Sequence, residues 1–213
     1  MSEALTLIVL AKEPRPGYVK TRLVPPLTAS DAARIAAAAL HDTLDVVDRT
    51  PAGRRVLAFA GDAAGWQRRG WDTVTQPAGG LDVRLAAALA AAHGPALLVG
   101  MDTPQLQPAD LAAFDPRRFD AALGLAPDGG YWAIGLRDPA QAAAAVHGVP
   151  MSTEHTGVVQ LARLRRLGLR VQLLPPRTDV DTIDSARAVA AVAPSTRFAA
   201  VFAAVAPPVA VPA

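Results

Sequence analysis

Three stretches of the chain carry residue types and spacings that suit phosphate and metal chemistry. The first is Ala11-Lys12-Glu13-Pro14-Arg15-Pro16-Gly17-Tyr18-Val19-Lys20-Thr21-Arg22-Leu23, which sets four cations, Lys12, Arg15, Lys20 and Arg22, in a loop. Cations beside bare loop amides suit phosphate oxygens. Lys12 and Lys20 are the only two lysines, every other cation being arginine, which fits a need for a compact point charge at these positions. Runs of Lys and Arg are more often solvated faces; position directly after a buried strand is what favours phosphate here. Neither G-x-x-x-x-G-K-[ST] nor G-x-G-x-x-G is present, so this is not a P-loop or a dinucleotide fingerprint.

The second stretch is acidic. Asp102 follows the apolar run Ala96-Leu97-Leu98-Val99, and Asp181 lies in Asp179-Val180-Asp181-Thr182-Ile183-Asp184. Each alone is ordinary turn or capping chemistry. Two aspartates at separate strand ends suit one shared Mg2+ or Mn2+, which would bridge diphosphate oxygens and keep several waters. We therefore expect Asp102 and Asp181 to be metal ligands. The third is Pro127-Asp128-Gly129-Gly130-Tyr131-Trp132. Asp128 is the expected base for an acceptor hydroxyl. Gly129 and Gly130 let the backbone approach a ligand, and Tyr131 and Trp132 offer stacking surfaces. The plainer alternative is a hairpin turn. Gln76, Gly79, Gly80 and Arg84 form a further loop after a strand and are expected, with Ala11, to touch a nucleotide. His41, His93 and His147 have no evident partners, and His155 is a weaker acid/base candidate. There is no Ser-His-Asp arrangement with a nucleophile elbow. The absence of cysteine excludes disulfides, thiolate metal sites and a cysteine nucleophile.

Strands and helices alternate around these stretches. Leu5 to Ala11 is an unbroken apolar run and reads as a strand buried on both faces. Ser30 or Asp31 caps a helix to about Val47, Arg55 to Ala60 is a strand, and Asp62 to Arg69 is a short helix. Further strands are expected at Val74, Ala96 to Gly100 and Val171 to Leu174. Helices are expected over Leu81 to Ala92, Pro108 to Phe114, Ser152 to Leu167 and Ile183 to Val192. Phe119 to Leu125 and Tyr131 to Leu136 flank the Pro-Asp-Gly-Gly turn, as a hairpin or as two strands joined by a functional loop. The pattern is α/β, with a mostly parallel central sheet between two helical layers. Such sheets bind ligands beyond the carboxyl ends of their strands.

At 213 residues the chain fits one domain, over 1–193, followed by an Ala/Pro-rich tail over 194–213. With 51% hydrophobic and 19% charged residues it is globular. A net charge of +2 does not argue for a nucleic-acid or membrane partner. The start lacks a basic n-region, and the segment from Phe198 onward is broken by Pro207, Pro208 and Pro212 and is shorter than the roughly 20 residues of a membrane helix. A cytoplasmic location is expected, and a homodimer is compatible with the alanine-rich surface.

AKEPRPGYVKTRL, GMDTPQL, APDGGYWAIGL and DVDTIDSA together resemble the small glycosyltransferase-like family of radical-SAM/selenodomain-associated transferases. The resemblance runs to about Val192 and implies a single-domain, GT-A-like, three-layer fold of the nucleotide-diphospho-sugar transferase kind. The chain departs from the family pattern at Met151, where tryptophan is usual, and at Ile183, where proline is common. Lys20-Thr21-Arg22-Leu23 and Asp179-Val180-Asp181-Thr182 are also similar to 2-phospho-L-lactate guanylyltransferases. Either resemblance implies that Lys12, Lys20 and Arg22 hold phosphates while Asp102 and Asp181 hold the metal.

The first expectation is a glycosyltransferase that takes a nucleotide sugar as donor and a small molecule as acceptor. The second is a nucleotidyltransferase in which a substrate phosphate attacks the α-phosphorus of an NTP while Lys20 and Arg22 neutralise charge. The third is a nucleotide-binding module without chemistry. The Asp-Gly-Gly-Tyr-Trp segment favours the first and Lys-Thr-Arg-Leu the second.

Overall fold

The computed structural model describes residues 4–206. In chain order its elements are β1 (Thr6–Lys12), α1 (Ala29–Arg49), β2 (Arg54–Ala60), β3 (Asp72–Thr75), α2 (Leu81–Ala90), β4 (Ala96–Val99), α3 (Pro108–Leu111), β5 (Ala121–Leu125), β6 (Tyr131–Leu136), α4 (Ala142–Val146), α5 (Thr156–Arg166), β7 (Val171–Leu174), α6 (Ile183–Val192) and α7 (Arg197–Val205). The strands form one sheet in the order β3-β2-β1-β4-β6-β5-β7. Only β6 runs against its neighbours, pairing antiparallel with β4 and β5; the other pairings are parallel. The carboxyl ends of six strands therefore share one edge.

The unbroken apolar β1 and β4 lie at the centre, where no face meets water. Leu7, Val9, Leu57, Phe59 and Val99 pack on one side of the sheet with Leu40, Leu44 and Val47 of α1. Ile8, Val56, Leu98 and Ile134 pack on the other with Leu85 and Leu89 of α2, Val146 of α4 and Leu164 of α5. This is the three-layer arrangement expected.

Three local expectations are corrected. α1 starts two or three residues early because Thr28, not Ser30 or Asp31, caps it: the Thr28 hydroxyl accepts from the Asp31 N–H at 3.1 Å. Asp62–Arg69 forms turns, not a helix. Gly65 weakens helix propensity there, and Trp66 is drawn onto Phe59 and His41, with ring centroids 6.2 and 4.7 Å apart. The third correction concerns the expected tail. Arg197–Val205 is a capped helix whose Phe198 and Phe202 are buried with Ile35, Ala39, Val180 and Val189. The alanines of α1 explain how: Ala33 and Ala36 face the sheet while Ala32, Ala38 and Ala39 face α7, so one slim helix packs closely on both sides. Residues 207–213 lie outside the described residues. Among the described residues no helix is long and apolar enough to cross a membrane.

At the edge opposite the site, Asp120 accepts from the Arg170 backbone N–H and Nε, both at 2.9 Å, and pairs with Arg137. These bonds from Arg170, then the Arg137 charge, hold its carboxyl down at about 2. A depressed folded-state value gives stability that is full above the unfolded value near 4 and is lost as pH falls through about 2. Asp120→Asn is expected to cost about 1 kcal/mol at neutral pH, solvent screening of the exposed Arg170 keeping it small, and nearly nothing near pH 2. Urea unfolding at both pH values checks this; an equal cost at both would refute it.

Candidate active-site cleft

A cleft of ≈ 900 Å³ opens at the carboxyl edge of the sheet. It is bordered by Ala11, Lys12, Lys20, Arg22, Gln76, Arg84, Asp102, Asp128, Gly130, Tyr131, Trp132 and Asp181, so residues up to 170 positions apart line one cleft. Gly80 stands just behind, at the N-cap of α2, whose Leu81 and Arg84 border the cleft. Arg15 does not border the cleft; its guanidinium stacks 4.4 Å over the ring of Tyr18, which does.

The basic loop is shaped by Lys20, a non-glycine residue with φ 48. That left-handed turn is uncommon for a side-chain-bearing residue, and it leads the chain into a short 3-10 turn over Thr21–Leu23, anchored by fully buried Leu23. Lys20 and Arg22 then reach the acidic loops. Lys20 Nζ lies 2.6 Å from Asp102 Oδ2, with 9% of its side chain exposed; Arg22 Nη1 lies 2.6 Å from Asp181 Oδ2, with 66% exposed. Burial, then the charges of Lys20 and Arg84, push the Lys12 ammonium below its ordinary value. An anion among these three cations would relieve that repulsion.

β4 and β7 are separated by two strands, yet their loops are stitched together. Val180 N–H donates to the Asp102 carbonyl at 2.9 Å, the Thr103 hydroxyl to Asp179 Oδ1 at 2.7 Å, and Gln105 Nε2 to the Thr178 carbonyl at 2.6 Å. This brings in Asp179, which the sequence reading passed over. Burial, then the Asp102 carboxylate, push Asp179 well above the usual carboxylate range, against the Thr103 hydroxyl and Lys20. A signal was available: Asp179 and Asp181 flank buried Val180, and alternate residues of an extended segment share a side.

Among the described residues no three Asp, Glu or His are gathered closely enough to hold a metal ion. Two neighbouring hard-oxygen donors, Asp179 and the Asp102 carboxylate whose charge raises it, nonetheless fit a hard divalent cation, since Mg2+ is commonly held by one or two carboxylates plus phosphate oxygens and water. Asp102, with Asp179 beside it, would hold it, and Asp181 borders the same cleft.

The remaining residues divide. Gln76 uses both amide hydrogens on main chain, donating to the Ala11 and Ala58 carbonyls at 2.7 and 2.8 Å, so it ties the ends of β1 and β2 and leaves only Oε1 for a ligand. Arg84 Nε rests on the Gly79 carbonyl at 3.2 Å. Asp128 Oδ1 closes its own turn on the Gly130 N–H at 2.9 Å, with its second oxygen open to the cleft. Gly129 is pressed against the segment that precedes α5, and its carbonyl accepts from the Gly157 N–H at 2.8 Å. Tyr131 borders the cleft while its hydroxyl turns inward, 3.4 Å from Gln160 Oε1. Burial raises that phenol above its ordinary value, so it stays protonated.

Trp132 corrects the expectation of an acceptor-stacking ring. It is 2% exposed, its indole fills the space that Gly124 leaves and donates to the Pro175 carbonyl at 3.1 Å. Strand alternation sends Tyr131 and Trp132 to opposite faces, and the tryptophan has the core face. Met151, Ser152, Thr153 and Glu154 instead complete that wall.

A family model described as an uncharacterized protein conserved in bacteria (DUF2064) matches residues 36–153. No curated protein matches the sequence. Among solved structures, a protein provisionally named a nucleotide-diphospho-sugar transferase from Desulfovibrio desulfuricans G20 superposes with a TM-score of 0.83, at 24% identity over 96% of this chain and 95% of that one. Rv0371c from Mycobacterium tuberculosis H37Rv, in complex with manganese, gives 0.58 at 23% identity over 89% and 98%. The 4-diphosphocytidyl-2C-methyl-D-erythritol synthase of Anaerococcus prevotii DSM 20548 gives 0.59 at 12% identity over 89% and 96%. The fold is thus the GT-A-like one of the nucleotide-diphospho-sugar transferases.

Proposed function

From the premise that the chain belongs to the DUF2064 family, matched over residues 36–153, we propose that its cleft is the active site of a metal-dependent transferase acting on a nucleotide at its phosphates. One observation carries this reading: both cations of Lys20-Thr21-Arg22 contact the carboxylates best placed to hold a divalent ion. Cations, carboxylates and a polyphosphate make a complete charge set in that geometry. The fold relatives support it, since one is named for nucleotide-diphospho-sugar transfer, one carries manganese and one is named a diphosphocytidyl synthase.

Of the finer readings, nucleotidyl transfer draws more from the geometry. Positive charge is concentrated where a metal-bound phosphate must lie, and such charge serves in-line attack at phosphorus. A phosphate oxygen of the acceptor would form the new bond to the α-phosphorus as the bond to the bridging oxygen breaks and pyrophosphate leaves. The divalent ion would supply Lewis-acid charge neutralisation; Lys20 and Arg22 would hold the developing charge, and Lys12 would hold the departing phosphates. Glycosyl transfer is the second reading. It rests on Tyr131 and the Gly129–Gly130 wall, with Asp128 as base toward an acceptor hydroxyl, and it has lost Trp132 as a sugar platform.

The test incubates the protein with Mg2+ or Mn2+, a panel of NTPs and nucleotide sugars, and small phosphorylated and hydroxylated acceptors. Pyrophosphate release from an NTP is expected. Nucleoside-diphosphate release from a nucleotide sugar would replace this reading with the second, and binding without turnover across the panel would leave a nucleotide-binding module.

A further inference from the structure

The cations placed to grip a nucleotide are already engaged by the carboxylates placed to grip a metal. Lys20 Nζ sits 2.6 Å from Asp102 Oδ2 with its side chain largely buried, and Arg22 Nη1 sits 2.6 Å from Asp181 Oδ2 with its side chain exposed. Each ligand arriving alone would have to break these pairs at a loss. A divalent ion that takes Asp102 leaves the Lys20 ammonium beside it without a counter-charge, and 9% exposure gives water little access to compensate. A polyphosphate that draws Lys20 away leaves Asp102 bare beside Asp179 and faces two carboxylates with its own negative charge.

When both arrive, every charge finds a partner. The ion takes the carboxylates and the phosphate takes Lys20 and Arg22. The phosphate oxygens also complete the coordination shell that two or three carboxylates leave short. We infer that Lys20, with Arg22, is a resident counter-cation that keeps metal and nucleotide from binding separately and makes them bind as one unit. The inference rests on the nucleotide reading above for its second ligand, while its first half, the masking of Asp102 by Lys20, stands on the ion pair alone. Coupling of this kind is reciprocal: the factor by which nucleotide tightens metal equals that by which metal tightens nucleotide.

The experiment measures Mn2+ binding by its free-ion paramagnetic resonance signal and nucleotide binding by calorimetry, each alone and then together. Wild-type protein is expected to bind Mn2+ alone at least ~10-fold more weakly than with nucleotide present, and to show the same factor in the reverse direction. Lys20→Met is expected to bind Mn2+ alone ~10-fold more tightly than wild type, because Asp102 is unmasked, and to keep only the part of the coupling that phosphate oxygens on the metal supply. Arg22→Gln alters an exposed side chain and leaves the fold intact, so it serves if Lys20→Met does not fold. It is expected to raise affinity for Mn2+ alone by a smaller factor, ~3-fold. Mn2+ binding alone that is no tighter in either folded variant than in wild type would overturn the counter-cation role. Failure of every nucleotide to bind wild type with Mn2+ would instead overturn the nucleotide reading, and the comparison with Mn2+ alone would still decide the masking.

Discussion

Gly129→Ala is expected to lower kcat/KM by at least ~100-fold, because a displacement of about 1 Å in a positioned wall costs that much. Gly129 has φ +89, and a Cβ there would lie 1.9 Å from the Glu154 carbonyl oxygen and 2.4 Å from its carbonyl carbon. Both are backbone atoms, so no rotamer change relieves the overlap. The Pro127–Gly130 turn and the segment before α5 must separate, which also breaks the Gly157 N–H bond to the Gly129 carbonyl. Gly148→Ala makes the control: φ is +72 there and nothing lies within 4 Å, so only the modest backbone strain of about 1 kcal/mol remains. Steady-state kinetics should show the loss as a fall in kcat and a rise in KM for the acceptor, with nucleotide affinity held. Wild-type kinetics in Gly129→Ala would remove this wall from the site.

Asp102→Asn should abolish the metal-dependent part of nucleotide binding, a loss of ~100-fold or more in affinity, since it deletes a carboxylate where a hard cation needs one. The change keeps the shape of the side chain, and the bond from Val180 N–H goes to the main-chain carbonyl of residue 102, so the loop should keep its place, while the melting temperature should fall because Lys20 loses its counter-charge. Asp181→Asn should follow in the same direction with a smaller effect, its partner Arg22 being exposed. Calorimetric titration of nucleotide with Mn2+ and with chelator checks both. An unchanged metal increment in both variants would end the assignment of these aspartates.

The β1 loop and the Asp102 loop were legible because they follow apolar runs too uniform to be anything but central strands: once Leu5 to Ala11 and Ala96 to Val99 are set in a parallel sheet, Lys20 and Asp102 must share an edge. Two things were hidden, for different reasons. Alternation shows that Tyr131 and Trp132 point to opposite faces, but which face is core depends on Gly124, a strand away, leaving room for an indole. The face that α7 buries is defined chiefly by α1, roughly 160 residues earlier, so Phe198 and Phe202 among alanines and prolines read as a tail. Composition is local information, and this contact is not.

The union of the last described helix with the first has a consequence for how the protein is made. Leu23, which anchors the turn carrying Lys20 and Arg22, and Val180, which precedes Asp181, belong to the same buried cluster as Phe198 and Phe202. Chains emerge from the ribosome in order and fold as their partners become available. The basic loop is therefore synthesised early, but the cluster that seats its Leu23 is complete only once α7 has left the exit tunnel.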